Sequence, residues 1–305
     1  MNDSLISTIV GCLERRRALL CLLALLIGAG TARAQPTIRS FTGILDGHNV
    51  GGVTTDLVGN IYVADFGDFV WKITPEGERE VFASGLYGAS GNAIDAEGNL
   101  LQSSFYGNSI SKIDRKGGAM PFVTRGLSGP VGIAVNRRTG AVYVANCSDN
   151  SIAKVATDGT VSSFAKSDLF RCPNGVSLDP EDNLYVANFR DNKLLKVDAT
   201  GAVTLFAKVS EEGLGHLCFK DGRFYVTAFQ SHAIYEVTLA GTVKRILGNG
   251  ERGLVDGEGT VARLSFPNGI ACSPWAARLY INESVNGTAL PRRTIVREIT
   301  LEVAK

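Results

Sequence analysis

Four side chains stand out as groups able to do chemistry. Asn174 and Asn268 each sit in a Pro-Asn-Gly tripeptide, His216 follows Gly-Leu-Gly, and Glu283 closes an Ile-Asn-Glu stretch. Amide oxygens are hard donors suited to a divalent cation, and imidazole and carboxylate are the usual general acid–base groups. Brought to one point, they would form a metal-assisted site that polarises a carbonyl and activates water. Asn174 and Asn268 would then be metal ligands, for calcium, zinc or manganese, with His216 and Glu283 as the catalytic pair. The competing reading is structural. Asparagine more often caps turns or bonds neighbouring backbone, and His216 would serve equally well as a hydrogen-bonded wall residue. No Ser-His-Asp signature or phosphate-binding glycine loop accompanies them.

The elements that must position these residues come from an internal repeat. Six segments each run from a glycine to the end of a β-branched, aromatic strand: 52–65, 91–104, 132–146, 175–188, 215–228 and 269–283. Their matching positions are Tyr62, Leu101, Tyr143, Tyr185, Tyr225 and Tyr280, with gaps of 39, 42, 42, 40 and 55 residues. Six copies at about 40 residues is the period of a β-propeller with one four-stranded blade per repeat. Within each copy a short apolar strand meets a polar turn, such as Gly59-Asn60, Gly98-Asn99, Asp182-Asn183 or Asp221-Gly222. Those residues tolerate the positive φ angles of tight hairpins. An alternating third strand follows, as in Leu194-Leu195-Lys196-Val197, then a second glycine turn and an outer strand, as in Val203-Thr204-Leu205-Phe206. The period is two throughout, with no helical stripe.

The sixth copy lacks an outer strand, and Ile38-Arg39-Ser40-Phe41 near the N-terminus matches one. The expected fold is therefore all-β: a six-bladed β-propeller closed by an N-terminal outer strand on the last blade. First strands would line the channel. Their opening residues would be near Gly51, Ser90, Val131, Asn174, Leu214 and Asn268, with Asp65, Asn146, Asn188 and Glu283 ending second strands near the same face. Convergent polar groups at that mouth make the default site for a small-molecule ligand.

Residues 1–34 read as a signal peptide: Arg15-Arg16-Arg17, an apolar run from Ala18 to Ala29, and Ala32-Arg33-Ala34 as a small-x-small cleavage signal. The expected product is an exported protein, periplasmic or secreted, with the propeller over 35–305 and no integral membrane segment after cleavage. Cleavage would leave 27 basic and 28 acidic residues. That balance argues against nucleic acid as a partner. A monomer is expected. Of the remaining cysteines, Cys147 and Cys172 fall on one face of adjacent blades, where a disulfide is as plausible as free thiols. Cys218 and Cys272 occupy apolar positions three residues after a repeat glycine and read as buried thiols. The insertion 248–263 carries acids without EF-hand spacing and reads as a structural loop with an Asp256–Arg263 ion pair.

Two stretches carry a family resemblance. ILGNGERGLVDGEGTVARLSFPNGIACSP (246–274) resembles the NHL repeat, and PNGVSLDPEDNLYVANF (173–189) resembles the repeat shared with the senescence-marker-protein/gluconolactonase propellers. The gluconolactonase branch implies lactone or ester hydrolysis with one divalent metal. Its ligands are a glutamate opening blade one, an asparagine opening blade four and an acid opening blade five. Asn174 matches the second, while Gly51 and Leu214 stand at the other two positions. The resemblance therefore implies an exported lactonase or esterase at the channel mouth. The alternative is a non-catalytic propeller that binds a ligand or protein partner there.

Overall fold

A computed structural model describes residues 35–209, 212–287, 289 and 293–301. The expected signal peptide lies outside the described residues.

Six antiparallel sheets follow one another along the chain. Blade one comprises Val53–Thr55, Ile61–Ala64, Val70–Ile73 and Arg79–Ala83; blade two, Ala89–Ile94, Leu100–Ser104, Ser109–Ile113 and Ala119–Val123. Blade three comprises Pro130–Val135, Val142–Asn146, Ser151–Val155 and Val161–Lys166; blade four, Pro173–Leu178, Leu184–Asn188, Lys193–Val197 and Val203–Lys208. Blade five comprises Leu214–Lys220, Arg223–Ala228, Ala233–Thr238 and Val243–Leu247. Blade six has Ile270–Cys272, Arg278–Ser284 and Thr294–Thr300 from the C-terminal end, and Thr37–Ser40 from the N-terminal end as its outer strand. That strand pairs with the third strand in the register Thr37↔Thr300 to Ser40↔Arg297, and its Ile38 is buried. The ring closes as the repeat pattern requires.

Apolar side chains from facing sheets form the cores between blades. Tyr185 of blade four, for example, packs on Phe206 and on Phe224 of blade five. The hairpins vary in length. Lys220 pairs directly with Arg223, so Asp221-Gly222 is a two-residue turn with φ of 51° and 75°. At Asp56 the loop is longer: Asp56 and Asn60 pair, and the Asp56 carboxylate accepts from the backbone N–H groups of Val58 and Asn60.

The repeat glycines have a steric role. Gly52, Gly91, Gly132, Gly175, Gly215 and Gly269 occupy one level of the six inner strands, where each blade touches the next backbone to backbone. A Cβ at Gly52 would lie 2.9 Å from the Gly91 Cα, and one at Gly91 2.9 Å from the Gly132 Cα. At Gly175 it would lie 2.5 Å from the His216 Cα, at Gly215 2.6 Å from the Asn268 carbonyl oxygen, and at Gly269 2.7 Å from the Val53 nitrogen. No alanine side chain fits such a gap without displacing backbone. Side chains of the second strands lock the same level. Ser103 donates to the Val131 carbonyl, Thr227 to the Asn268 carbonyl and Asn282 to the Gly51 carbonyl, each in the following blade.

Two expectations are corrected. Cys218 and Cys272 are not thiols. They form a disulfide, Cα atoms 5.8 Å apart, because equivalent positions of neighbouring inner strands meet along the channel wall. Asp256 does not pair with Arg263. It accepts from Arg297 at 2.8 Å and from Ser40, while Arg263 pairs with Glu251 at 3.0 Å. The side chain of Arg297, wholly buried, also donates to the Val255 and Arg263 carbonyls, so it organises the 248–263 loop from inside the last blade.

Candidate functional site

The glycine level lies between two chambers of the channel that share no lining residue. The upper one, at the mouth, is a cavity of about 230 Å³. Ser90, Val131, Asn174 and Asn268 line it from the openings of the inner strands, with Asn49 and Val50 from blade one's approach. Its outer wall comes from the residues that follow the second strands: Phe66, Phe105, Cys147, Phe189 and Phe229, with Arg190 beside them. The four phenylalanines are half-buried, held by the turn that leaves each second strand. Phe66 packs on Phe105 at 5.6 Å between centroids, and Phe189 on Phe229 at 5.8 Å. Cys147 takes the corresponding place in blade three and is bonded to Cys172, Cα atoms 4.0 Å apart, so the disulfide considered from sequence is present and bridges blades three and four. Exposed Tyr106 and Tyr87 extend the arc beyond Phe66.

The side chains singled out from sequence lie in three environments. Asn174 and Asn268 do reach the mouth. Their Nδ2 groups donate across to the next blade: Asn174 to the Leu214 carbonyl at 3.1 Å, Asn268 to the Val50 carbonyl at 2.8 Å. These amides therefore pin neighbouring openings together. His216 lies below the glycine level and lines the lower chamber with Asn92 and the Cys218–Cys272 bridge. Burial alone pulls its imidazole down to about 4, so the ring is neutral at pH 7, and its Nε2 has no hydrogen-bond partner among the described residues. Glu283 is inside blade six, wholly buried, accepting from Arg297 at 3.0 Å. Burial pushes its carboxyl up, with Arg297 opposing. Asp65, Asn146 and Asn188 are committed to local backbone: Asp65 caps the Gly67 and Phe69 N–H groups, while Asn146 and Asn188 accept from Ser128 and Arg171.

This geometry does not fit the cation that the resemblance implies. A calcium-like ion needs six to eight oxygens with negative charge among them. The mouth offers three neutral amides, those of Asn49, Asn174 and Asn268, and the Ser90 hydroxyl, but no acid. Among the described residues, no three His, Cys, Asp or Glu side chains gather closely enough to hold a metal. What the mouth does offer is aromatic surface with a few polar groups, the usual composition of a small-molecule pocket. The phenylalanines escaped the sequence reading although their signal was present. Phe66, Phe105, Phe189 and Phe229 each stand four residues after the repeat positions Tyr62, Leu101, Tyr185 and Tyr225.

No protein-family model matches the chain, and no curated protein sequence matches it. Solved structures do. The chain is similar to a gluconolactonase from Xanthomonas campestris, with 17% identity and a TM-score of 0.69 over 90% of this chain and 93% of that one. It is similar to an auxiliary nutrient binding protein from Bacteroides ovatus, with 17% identity and a TM-score of 0.72 over 89% and 78%. It is also similar to a catalytically inactive virginiamycin B lyase from Staphylococcus aureus, with 16% identity and a TM-score of 0.61 over 85% and 82%. At these identities the likeness establishes the propeller alone. Two of the neighbours are named for enzymes and one for binding, as expected of a fold that hosts many activities.

Proposed function

We propose that the protein is an exported, non-catalytic propeller that binds a small molecule with a flat apolar part at the channel mouth. The observation that carries this reading is the wall of Phe66, Phe105, Phe189 and Phe229 around a cavity without a carboxylate. Aromatic faces hold flat apolar groups by offset or edge contacts, each such pair contributing about 0.5–1.5 kcal/mol beyond burial. A volume of about 230 Å³ suits one ring with a short tail. The two disulfides support export, since such bonds persist in oxidising compartments. The metal-dependent lactonase or esterase expected from the resemblance would need Asn174, Asn268, His216 and Glu283 at one point, and they occupy three places.

The test is a calorimetric titration with 3-phenylpropanamide, a neutral ring with a short polar tail. Saturable binding that weakens at least tenfold in the Phe189→Ala/Phe229→Ala variant supports the reading. Hydrolysis of gluconolactone that depends on added calcium, zinc or manganese and survives in that variant overturns it.

A further inference from the structure

We infer that the ligand at the mouth carries a carboxylate beside its apolar part, and that Arg190 reads it; this inference rests on the reading of the mouth as a binding site. Arg190 directly follows Phe189 and lines the same cavity. Its backbone N–H donates to the Arg171 carbonyl at 3.1 Å, which holds the residue at the rim. Its side chain is solvent-exposed and makes no hydrogen bond or ion pair among the described residues.

Many other arginines of the propeller are occupied, although among the described residues Arg125, Arg137 and Arg252, none of which lines the mouth, also stand without a partner. Arg138 pairs with Asp182, Arg263 with Glu251, Arg278 with Glu298 and Arg293 with Asp46. Arg171, across the turn from Arg190, donates to the carbonyls of Asp168 and Phe170. Arg190 therefore brings an uncompensated positive charge to a cavity that no acid lines. Asp65, the carboxylate at the end of blade one's second strand, already accepts from Gly67 and Phe69.

A guanidinium is a rigid planar fork that matches a carboxylate with two parallel hydrogen bonds. Next to an aromatic wall, that fork selects a ring bearing an anionic tail. It disfavours a ring bearing an ammonium group, because like charges repel. The polar side chains at the inner end, Ser90, Asn174 and Asn268, are neutral and do not compete for the anion.

The experiment compares 3-phenylpropanoate, 3-phenylpropanamide and 3-phenylpropylamine by calorimetry at low salt, on wild type and on Arg190→Gln. The expected order is carboxylate tightest, then amide, then amine, with three- to tenfold between carboxylate and amide. In Arg190→Gln the carboxylate should fall to the affinity of the amide, and the amide should keep its own. Equal affinity of carboxylate and amide in wild type overturns the role of Arg190 while leaving the aromatic site standing. Binding of none of the three overturns both.

Discussion

Glu283 and Arg297 face each other at 3.0 Å across the second and third strands of blade six, neither side chain reaching solvent. Arg297 continues to Asp256, and Asp256 to Ser40 of the closing strand, so one buried cation joins both chain ends to the 248–263 loop. The acid that looked from sequence like a catalytic group thus belongs to the latch of the ring.

Glu283→Ala should therefore act on stability. Removing one partner of a buried pair costs about 3–5 kcal/mol. Glu283→Gln keeps an acceptor and should cost about 1–3 kcal/mol. Thermal melts should fall by several degrees in that order, with affinity for 3-phenylpropanamide unchanged below the transition. Full stability in both variants would show that the pair does not hold the closure.

The glycine level predicts a second outcome. Gly175→Ala places a methyl group 2.5 Å from the His216 Cα, so blades four and five must part. A cost of about 2 kcal/mol follows from overpacking, with the usual entropic gain of Gly→Ala already offset. The midpoint should drop by roughly 4–8 °C. Ser177→Ala, two residues along the same strand, should move it little.

His216 sets a pH dependence. Its folded value of about 4 lies below the ordinary 6.5, because burial disfavours the cation. The unfolded chain then binds the extra proton first. Stability should be full above pH 6.5, fall as pH drops from 6.5 to 4, and level off below. The loss is about 3 kcal/mol from the linkage of proton binding to unfolding. Urea unfolding of wild type and His216→Gln at pH 7 and pH 4.5 measures it as a difference, in which His48, His232 and the carboxylates cancel. Parallel losses in the two proteins would remove His216 as the cause.

The two disulfides should separate stability from binding. By loop closure each contributes about 3–4 kcal/mol, the longer Cys218–Cys272 loop somewhat more. Both double serine variants should melt lower. Only Cys147→Ser/Cys172→Ser should weaken binding of 3-phenylpropanamide, since only that bridge lines the mouth. Equal effects on affinity would place the ligand elsewhere.

Much of the architecture was legible in the repeat. The spacing of Tyr62, Tyr143, Tyr185, Tyr225 and Tyr280 gave the blades, the opening glycines gave the inner strands, and Ile38 gave the closing strand. The site was less legible because its meaning depends on partners from other blades. Asn174 and Asn268 look like ligands in one dimension, yet each amide donates to the following blade, which lies about 40 residues away in sequence for Asn174 and at the opposite chain end for Asn268. Cys218 and Cys272 fill places that Val135 and Leu178 fill in other blades, and only the adjacency of inner strands reveals the bond. The phenylalanine wall lay one position beyond four of the six repeat segments, where a single hydrophobic residue per repeat is easily taken for core.

The most direct measurement is an NMR titration of protein labelled at phenylalanine and asparagine with 3-phenylpropanamide. The account predicts saturable shifts confined to the Phe66, Phe105, Phe189 and Phe229 rings, with the Asn174 and Asn268 side-chain amides moving together with them. Shifts at other phenylalanines with these four unmoved, or none at saturating probe, would contradict it.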